Sequence, residues 1–256
     1  MIVSAQNAKV KLVRALAGRA KERREARAFL AEGVRLVEEA HIASWPFRFV
    51  LYSGDLSERG HELLAKLAER KIEIDEVDSG LMKGSSDTDT PQGIVAVLAD
   101  HQLPMVDALD FALIADSIRD PGNLGTLLRS AEAAGVQAAF LPPETVDAFS
   151  PKVVRAGMGA HFRVPIREAS WEQIRGYTKG LAVHLADMQG PSCWNADFRQ
   201  PMVLIIGGEA AGATEAARGL ADRLVSIPMP GNAESLNAAV AGSILMFEVL
   251  RQRTGT

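Results

Sequence analysis

Two hydrophobic periods run through this chain of 256 residues: short apolar runs that suit buried strands, and 3.6-residue repeats that suit amphipathic helices. Val203 to Ile206 is a continuous apolar run, as expected of a strand buried on both faces of a parallel sheet. It leads into the turn Gly207-Gly-Glu-Ala-Ala-Gly212, where Gly207 and Gly208 are expected to let the backbone approach a ligand closely. A second short strand, Leu224 to Met229, precedes the turn Pro230-Gly231-Asn232. A final helix then opens at Ser235-Leu236-Asn237, with Ser235 placed to cap it. Along that helix Leu236, Val240, Ile244, Phe247 and Leu250 form an apolar stripe, and Ala238, Ala239, Ala241, Gly242 and Ser243 are small enough to admit another element closely. Two readings stay open for it: a helix buried in one domain's core, or one at a subunit interface beside a ligand.

Phe111 to Ala115, Ala138 to Leu141 and Leu181 to Leu185 read as further buried strands. The end of the last, Ala186-Asp187, is expected beside the Gly207 turn, because open α/β sheets bind ligands at the carboxyl ends of their strands. Pro121-Gly122 forms a turn, and Asn123 is a candidate cap for a helix that carries Arg129 about two turns in. The N-terminal pattern is a more compact alternation. Val10, Val13 and Leu16 predict a helix after Asn7, and Val34, Val37 and Ala40 predict a second. Phe47 to Tyr52 reads as a strand, Glu58 to Arg70 as a helix on Leu63, Leu64 and Leu67, and Lys71 to Val77 as a strand. Ile94 to Leu98 closes the unit, after a segment from Gly80 to Asp89 that reads as a mobile loop. Asp100 to Leu109 has a proline and little periodicity. The expected organisation is two α/β domains, residues 1–99 and 110–256, joined by a linker over 100–109.

Charge alters that picture at one place. The net charge of −4 gives no general support for a nucleic-acid partner, so such a partner must meet a local patch. Lys9, Lys11, Arg14, Arg19, Lys21, Arg23, Arg24 and Arg27 supply one, against only Glu22 and Glu25. They form either a solvated helix face or a phosphate-contacting surface, with Lys21, Arg23 and Arg24 as the candidates for phosphate contact. Hydrophobic residues at 47% are ample for a packed core. The one cysteine, Cys193, excludes an internal disulfide and fits a reducing cytoplasm. No run reaches membrane-spanning length, and the N-terminus lacks the apolar core of a signal peptide. The five histidines show no metal-binding spacing, so no metal is expected. Phosphate-loop, dinucleotide and nucleophile-turn motifs are missing as well.

The turn Gly207–Gly212, together with Ile227-Pro-Met-Pro-Gly231 and Ser235-Leu-Asn237, resembles motifs two and three of the SpoU RNA methyltransferases, part of the SPOUT superfamily. Asn123, Gly125 and Arg129 resemble motif one. Ser150 to Pro165 resembles a further SpoU segment, although many members carry serine where this chain has Gly157; Lys152 and Arg155 in it are further candidates for RNA contact. Arg27 to Gly33 and Thr90 to Val95 resemble the substrate-binding domain of many SpoU proteins, which is similar to a small RNA-binding ribosomal-protein fold.

The resemblance implies an α/β chain whose C-terminal parallel-sheet domain holds a trefoil knot and forms a homodimer. It implies S-adenosylmethionine as cofactor and structured RNA, rRNA or tRNA, as the partner methylated on a ribose 2′-hydroxyl. Ala186, Gly207, Gly208, Ile227, Met229 and Leu236 would hold the cofactor, mainly through backbone groups and apolar contact with adenine. Arg129, Asn123, Glu209, Ser235 and Asn237 would be catalytic, with Arg129 of one subunit completing the site of the other. A guanidinium with pKa above ~12 is a poor base. Arg129 is therefore expected to hold the adjacent phosphate and stabilise developing negative charge, while Glu209, Ser235 and Asn237 orient it and the substrate. Two rival functions stay open: a non-catalytic RNA-binding protein that kept the fold, and a SPOUT enzyme that methylates a base.

Overall fold

The computed structural model describes residues 1–83, 92–209 and 212–255. In chain order its elements begin with α1 (Ala8–Gly18), α2 (Ala20–Ala26), β1 (Ala28–Glu32), α3 (Val34–Ile42), β2 (Phe47–Tyr52), α4 (Glu58–Glu69), β3 (Ile74–Glu76), α5 (Ser79–Lys83) and β4 (Ile94–Ala99). They continue with β5 (Phe111–Asp116), α6 (Pro121–Ala133), β6 (Ala138–Leu141), α7 (Pro151–Gly157), β7 (Ile166–Glu168), α8 (Trp171–Tyr177), β8 (Ala182–Ala186), β9 (Met202–Gly207), α9 (Glu215–Leu220), β10 (Arg223–Val225) and α10 (Ala238–Thr254). Two compact units result: Met1–His101 with Phe149–Phe162, and Gln102–Ala148 with Arg163 onward.

The first unit is a four-stranded sheet in the order β1-β4-β2-β3, in which only β2 and β3 run parallel. Asn7 caps α1 by accepting from Lys9 N at 2.8 Å, and the helix buries Val10, Val13 and Leu16 against Leu30, Phe49, Leu51, Val95 and Val97. The strand expected over Lys71–Val77 shortens to Ile74–Glu76, because Lys71 takes φ +58° in the turn that ends α4. The loop expected at Gly80–Asp89 begins as the last turn of α5, and its residues 84–89 lie outside the described ones, as do Thr90 and Pro91. Phe149–Phe162 falls in sequence within the expected second domain but packs in this unit. The ring of Phe29 lies 5.0 Å from that of Phe149 and 6.5 Å from that of Phe162, a burial of aromatic area with no local sequence signature.

The second unit is a six-stranded sheet, parallel throughout, in the order β10-β8-β9-β5-β6-β7. Ala112, Ile114, Val183, Leu185, Val203 and Ile205 face Ile174 of α8 and Ala217 of α9 on one side. On the other side α10 packs against α6 and β9. A methyl group on Gly242 would run into Leu127 and lie 3.2 Å from Ile206, and the Ser130 and Ser243 hydroxyls meet at 2.7 Å. The small residues Ala238, Ala239 and Gly242 are thus buried inside the unit, while Val240 and Phe247 of the apolar stripe stay 47% exposed. The strand expected to reach Met229 stops at Val225; Pro228 cannot donate to a ladder, and past the isolated bridge between Ser226 and Ser192 the backbone leaves the sheet. Among the described residues no helix is long and apolar enough to cross a membrane.

Candidate active site at the strand ends

The carboxyl ends of β8, β9 and β10 open into a cavity of about 630 Å³, within the range of roughly 300–1,000 Å³ usual for small-molecule sites. Ala186, Gly207, Gly208, Ile227, Met229 and Leu236 all line it, as do Glu209, Ser235 and Asn237. Ile206, Val225 and Leu245 give it apolar walls, and Asp187 and Arg218 give it charge.

Gly207 and Gly208 are also needed within the chain itself. A methyl group on Gly207 would lie 2.6 Å from Ala213 N, and one on Gly208 would lie 2.5 Å from Ser117 O. The space a side chain at either would take is filled by the chain's own backbone. The glycines allow the segment after β9 to fold back on itself, with Gly212 N donating to Gly208 O at 3.0 Å.

Two helix caps organise the polar residues. Asp120, not Asn123, caps α6: it accepts from Asn123 N at 2.8 Å, and Pro121 takes the first helical position. Asn237, not Ser235, caps α10: its Oδ1 accepts from Ala239 N at 2.9 Å and Val240 N at 3.2 Å, while Ser235 is exposed before the helix. Capping fixes which way the Asn237 amide points. Its Nδ2 donates to Asn123 Oδ1 at 3.0 Å. The Asn123 oxygen being taken, Asn123 Nδ2 donates to Glu209 Oε1. Turning either amide over would set donor against donor, so a cap at one helix end orients a carboxylate two elements away.

Arg129 does not join this cluster within the single chain. It is exposed on α6, does not line the cavity and makes no hydrogen bond or ion pair with the described residues. Sequence reasoning missed the pair between Arg218 Nη1 and Asp187 Oδ2, 2.7 Å apart. The Gln189 amide, and then Arg218, hold the Asp187 carboxyl below its usual range against the opposing effect of burial. Asp187 had a signal, its place at a strand end; Arg218, on a short helix, had none.

Among the expected RNA contacts, Arg23 is a correction. It is buried, with Nη1 donating to Leu16 O at 2.6 Å and Gly18 O at 3.3 Å, so it closes the carbonyl end of α1. Lys21, Arg24 and Lys152 are exposed, with Lys21 3.7 Å from Glu25. Arg155 Nη1 pairs with Glu32 Oε2 at 3.1 Å. Lys9 lies against Glu73, at 2.5 Å, and Asp75. No group of His, Cys, Asp or Glu among the described residues could hold a metal ion.

A parallel sheet with a nucleoside-sized cavity and an amide–carboxylate cluster at its strand ends describes a class of cofactor-binding α/β enzyme. Comparison with known proteins narrows the class. Residues 110–247 match the SpoU rRNA Methylase family, and residues 7–96 match the MRM3-like substrate binding domain. The chain belongs to the SpoU rRNA methylase family. It is 34% identical to the 23S rRNA (uridine(2479)-2′-O)-methyltransferase of Streptomyces viridochromogenes, over 98% of this chain and 92% of that one. It is 33% identical to the 23S rRNA (guanosine(2553)-2′-O)-methyltransferase RlmP of Bacillus subtilis, over 97% and 98%. The structure of an rRNA methyltransferase from Sinorhizobium meliloti with AdoMet bound matches at a TM-score of 0.86 and 33% identity, over 99% of this chain and 97% of that one.

Proposed function

We infer that this protein transfers a methyl group from S-adenosylmethionine to a ribose 2′-hydroxyl of ribosomal RNA, and that the RNA is 23S rRNA. The observation that carries this reading is the hydrogen-bonded chain Asn237–Asn123–Glu209, with Asn237 and Glu209 on the wall of the cavity. Two relatives are named for 2′-O-methylation of 23S rRNA, one at a uridine and one at a guanosine, so near-equal identity supports the RNA and leaves the nucleotide open.

The residues present suit the donor. Ile206, Ile227, Met229, Leu236 and Leu245 offer apolar surface to adenine, and the irregular backbone around Pro228 leaves amide groups for its edge. Asp187, Arg218 and Glu209 offer charges to a zwitterionic, sulfonium-bearing molecule. When bound, that cofactor supplies an electrophilic methyl whose leaving group departs neutral and needs no acid. The chain's task is the ribose oxygen, which must lose a proton as it attacks. Glu209, oriented by Asn123, positions the ribose; Arg129 holds the neighbouring phosphate and stabilises the developing negative charge.

Since Arg129 makes no hydrogen bond or ion pair with the described residues of its own chain, we assign it to the site of a second copy. Val240, Phe247 and Trp194, each about half exposed, form with Ile244 an apolar face that a two-fold partner would cover self-complementarily. The trefoil knot implied by the SpoU resemblance and a cytoplasmic location complete this reading.

Purified protein incubated with 23S rRNA and methyl-labelled cofactor, then digested to nucleosides, tests the chemistry. Label in a 2′-O-methyl nucleoside is expected; label on a base, or none, would overturn the reading. The dimer is tested by mixing Arg129→Ala and Glu209→Ala chains, each of which keeps only a low residual activity. Random pairing should restore about a quarter of wild-type activity, one intact site in half of the dimers. A wild-type monomer that is active at its working concentration would remove the shared site.

A further inference from the structure

We propose that Asp116 is a positioning residue for methyl transfer: its buried carboxylate anchors Gly212–Thr214, the stretch whose Gly212 N bonds Gly208 O, and so sets where Glu209 stands. The proposal rests on the role given to Glu209 above. Asp116 is the last residue of β5, level with Gly207 of β9 in the sheet, and is fully buried. The residues before it, Phe111 to Ala115, are all apolar and buried, and an apolar side chain would complete the strand equally well. A buried carboxylate is unfavourable unless its oxygens are occupied. The donors that occupy them, among the described residues, are an amide and two hydroxyls and not a cation.

Asp116 Oδ2 accepts from Thr214 N at 2.7 Å, and Oδ1 lies 3.3 Å from Thr214 Oγ1 and 3.3 Å from Ser117 Oγ. Thr214 is also the cap of α9, its Oγ1 accepting from Ala217 N at 3.2 Å. With that lone pair given to the helix, the one hydroxyl proton is directed to the Asp116 carboxylate. Gly208 is seated differently. Gly208 rests on the carbonyl of Ser117, a residue held at φ +55° with its N–H donating to Thr145 Oγ1 at 3.2 Å. The end of β5 therefore holds the chain at two points, by close packing of the Ser117 carbonyl on Gly208 and by hydrogen bonds of the Asp116 carboxylate to Thr214. Glu209 follows the first point directly and points its Oε1 at Asn123. Releasing Thr214 lets Gly212 and, through its bond to Gly208, the neighbouring Glu209 shift while the sheet and α6 remain. A carboxylate displaced by about an ångström is enough to slow a reaction that depends on orientation roughly 100-fold.

The test uses the full-length protein with Asp116→Asn. Asparagine keeps the volume and one acceptor but sets an N–H₂ against a hydroxyl proton or an amide. kcat is expected to fall roughly 10–100-fold, with KM for RNA within about two-fold. In a Glu209→Ala background the same change should lower kcat by less than about two-fold, since the residue it positions is gone. Amide exchange at Thr214 reads the grip apart from chemistry and should quicken by roughly tenfold or more. Unchanged kcat, additive losses in the double variant, or unchanged exchange at Thr214 would each overturn the proposal. If Asp116→Asn does not fold, Thr214→Val and Thr214→Ser replace it: valine should reproduce the non-additive loss with Glu209→Ala, and serine should restore activity. Wild-type protein that bound the cofactor but methylated no RNA would strike the proposed function instead, and the Thr214 exchange result would still decide the anchor.

Discussion

Arg23 and Asn237 both close the end of a helix, and only one of them keeps a bonding group for a second side chain. Arg23 gives its guanidinium to the last carbonyls of α1 and is buried in doing so. Asn237 gives its oxygen to the first amides of α10 and still presents Nδ2, which reaches Asn123 and, through it, Glu209. The difference lies in the groups. A guanidinium offers donors only, and burial to reach carbonyls takes the whole charge from solvent. A carboxamide carries an acceptor and a donor on opposite sides, so a cap made with one aims the other. The wider contrast follows. In the first unit several basic side chains answer local needs, Lys9 beside Glu73 and Asp75, Arg155 on Glu32, Arg23 on a helix end. In the second unit polar side chains from distant parts of the chain meet one another at strand ends.

Removing charge from the second unit should be felt most. Arg129→Ala is expected to lower methyl transfer on the order of 10³-fold with cofactor affinity within a few-fold, and Arg129→Lys should also be poor, since an ammonium cannot reproduce a planar fork on phosphate. A lysine variant near wild-type rate would remove the phosphate role. Asn237→Asp tests the two-sided amide. It keeps the capping oxygen and loses the donor, so the melting temperature should hold while kcat falls roughly 100-fold. Equal losses of stability and rate would mean that Asn237 is only a cap.

Gly207→Val comes next, and its meaning differs from that of a ligand clash. The added branch would displace Ala213, so calorimetry should find cofactor affinity down by more than about tenfold together with faster amide exchange at Gly212 and Thr214. The same caution applies to α10. A bulky residue at Gly242 would unseat the helix from Leu127 and Ile206 within the chain, so the proposed dimer is probed at Val240 and Phe247. Val240→Asp with Phe247→Asp should give monomers that retain cofactor binding and lose transfer.

In the first unit the predicted effects are smaller and separable. Arg23→Met should destabilise by about 1–3 kcal/mol, read by denaturant unfolding, because the α1 carbonyls lose their donor, and the salt dependence of RNA binding should not change. Lys21→Glu with Arg24→Glu should do the reverse: stability within about 0.5 kcal/mol, a raised KM for RNA and a flatter salt slope. The least effect belongs to Glu248, buried on α10 and held below its usual carboxylate range by hydrogen bonds from Arg251 and then Gln252. A depressed pKa contributes stability above the unfolded value that is lost as pH falls through the folded one. Arg251→Ala should therefore begin its acid unfolding at a higher pH than wild type, with the two curves converging once Glu248 is protonated in both states.

Much of this molecule was legible from residues alone because strands and helices declare themselves locally. Val203 to Ile206 and Phe111 to Ala115 read as buried strands, and the motif residues Ala186, Gly207, Gly208, Ile227, Met229 and Leu236 share one cavity. Family membership was readable from the same short segments. What tertiary structure decided were the partners. Which of Ser235 and Asn237 caps α10, and which of Asp120 and Asn123 caps α6, turned on where each side chain could also reach, and Asn237 meets Asn123 from 114 positions away. Periodicity marked one apolar stripe on α10, yet the face turned inward is the one with Gly242, because only a small residue lets the helix approach Leu127 and Ile206. Gly207 could be recognised as indispensable, but not that its own chain fills the space above it. A local pattern states which groups are apolar and which must be bonded; only the packed chain determines what lies opposite each of them.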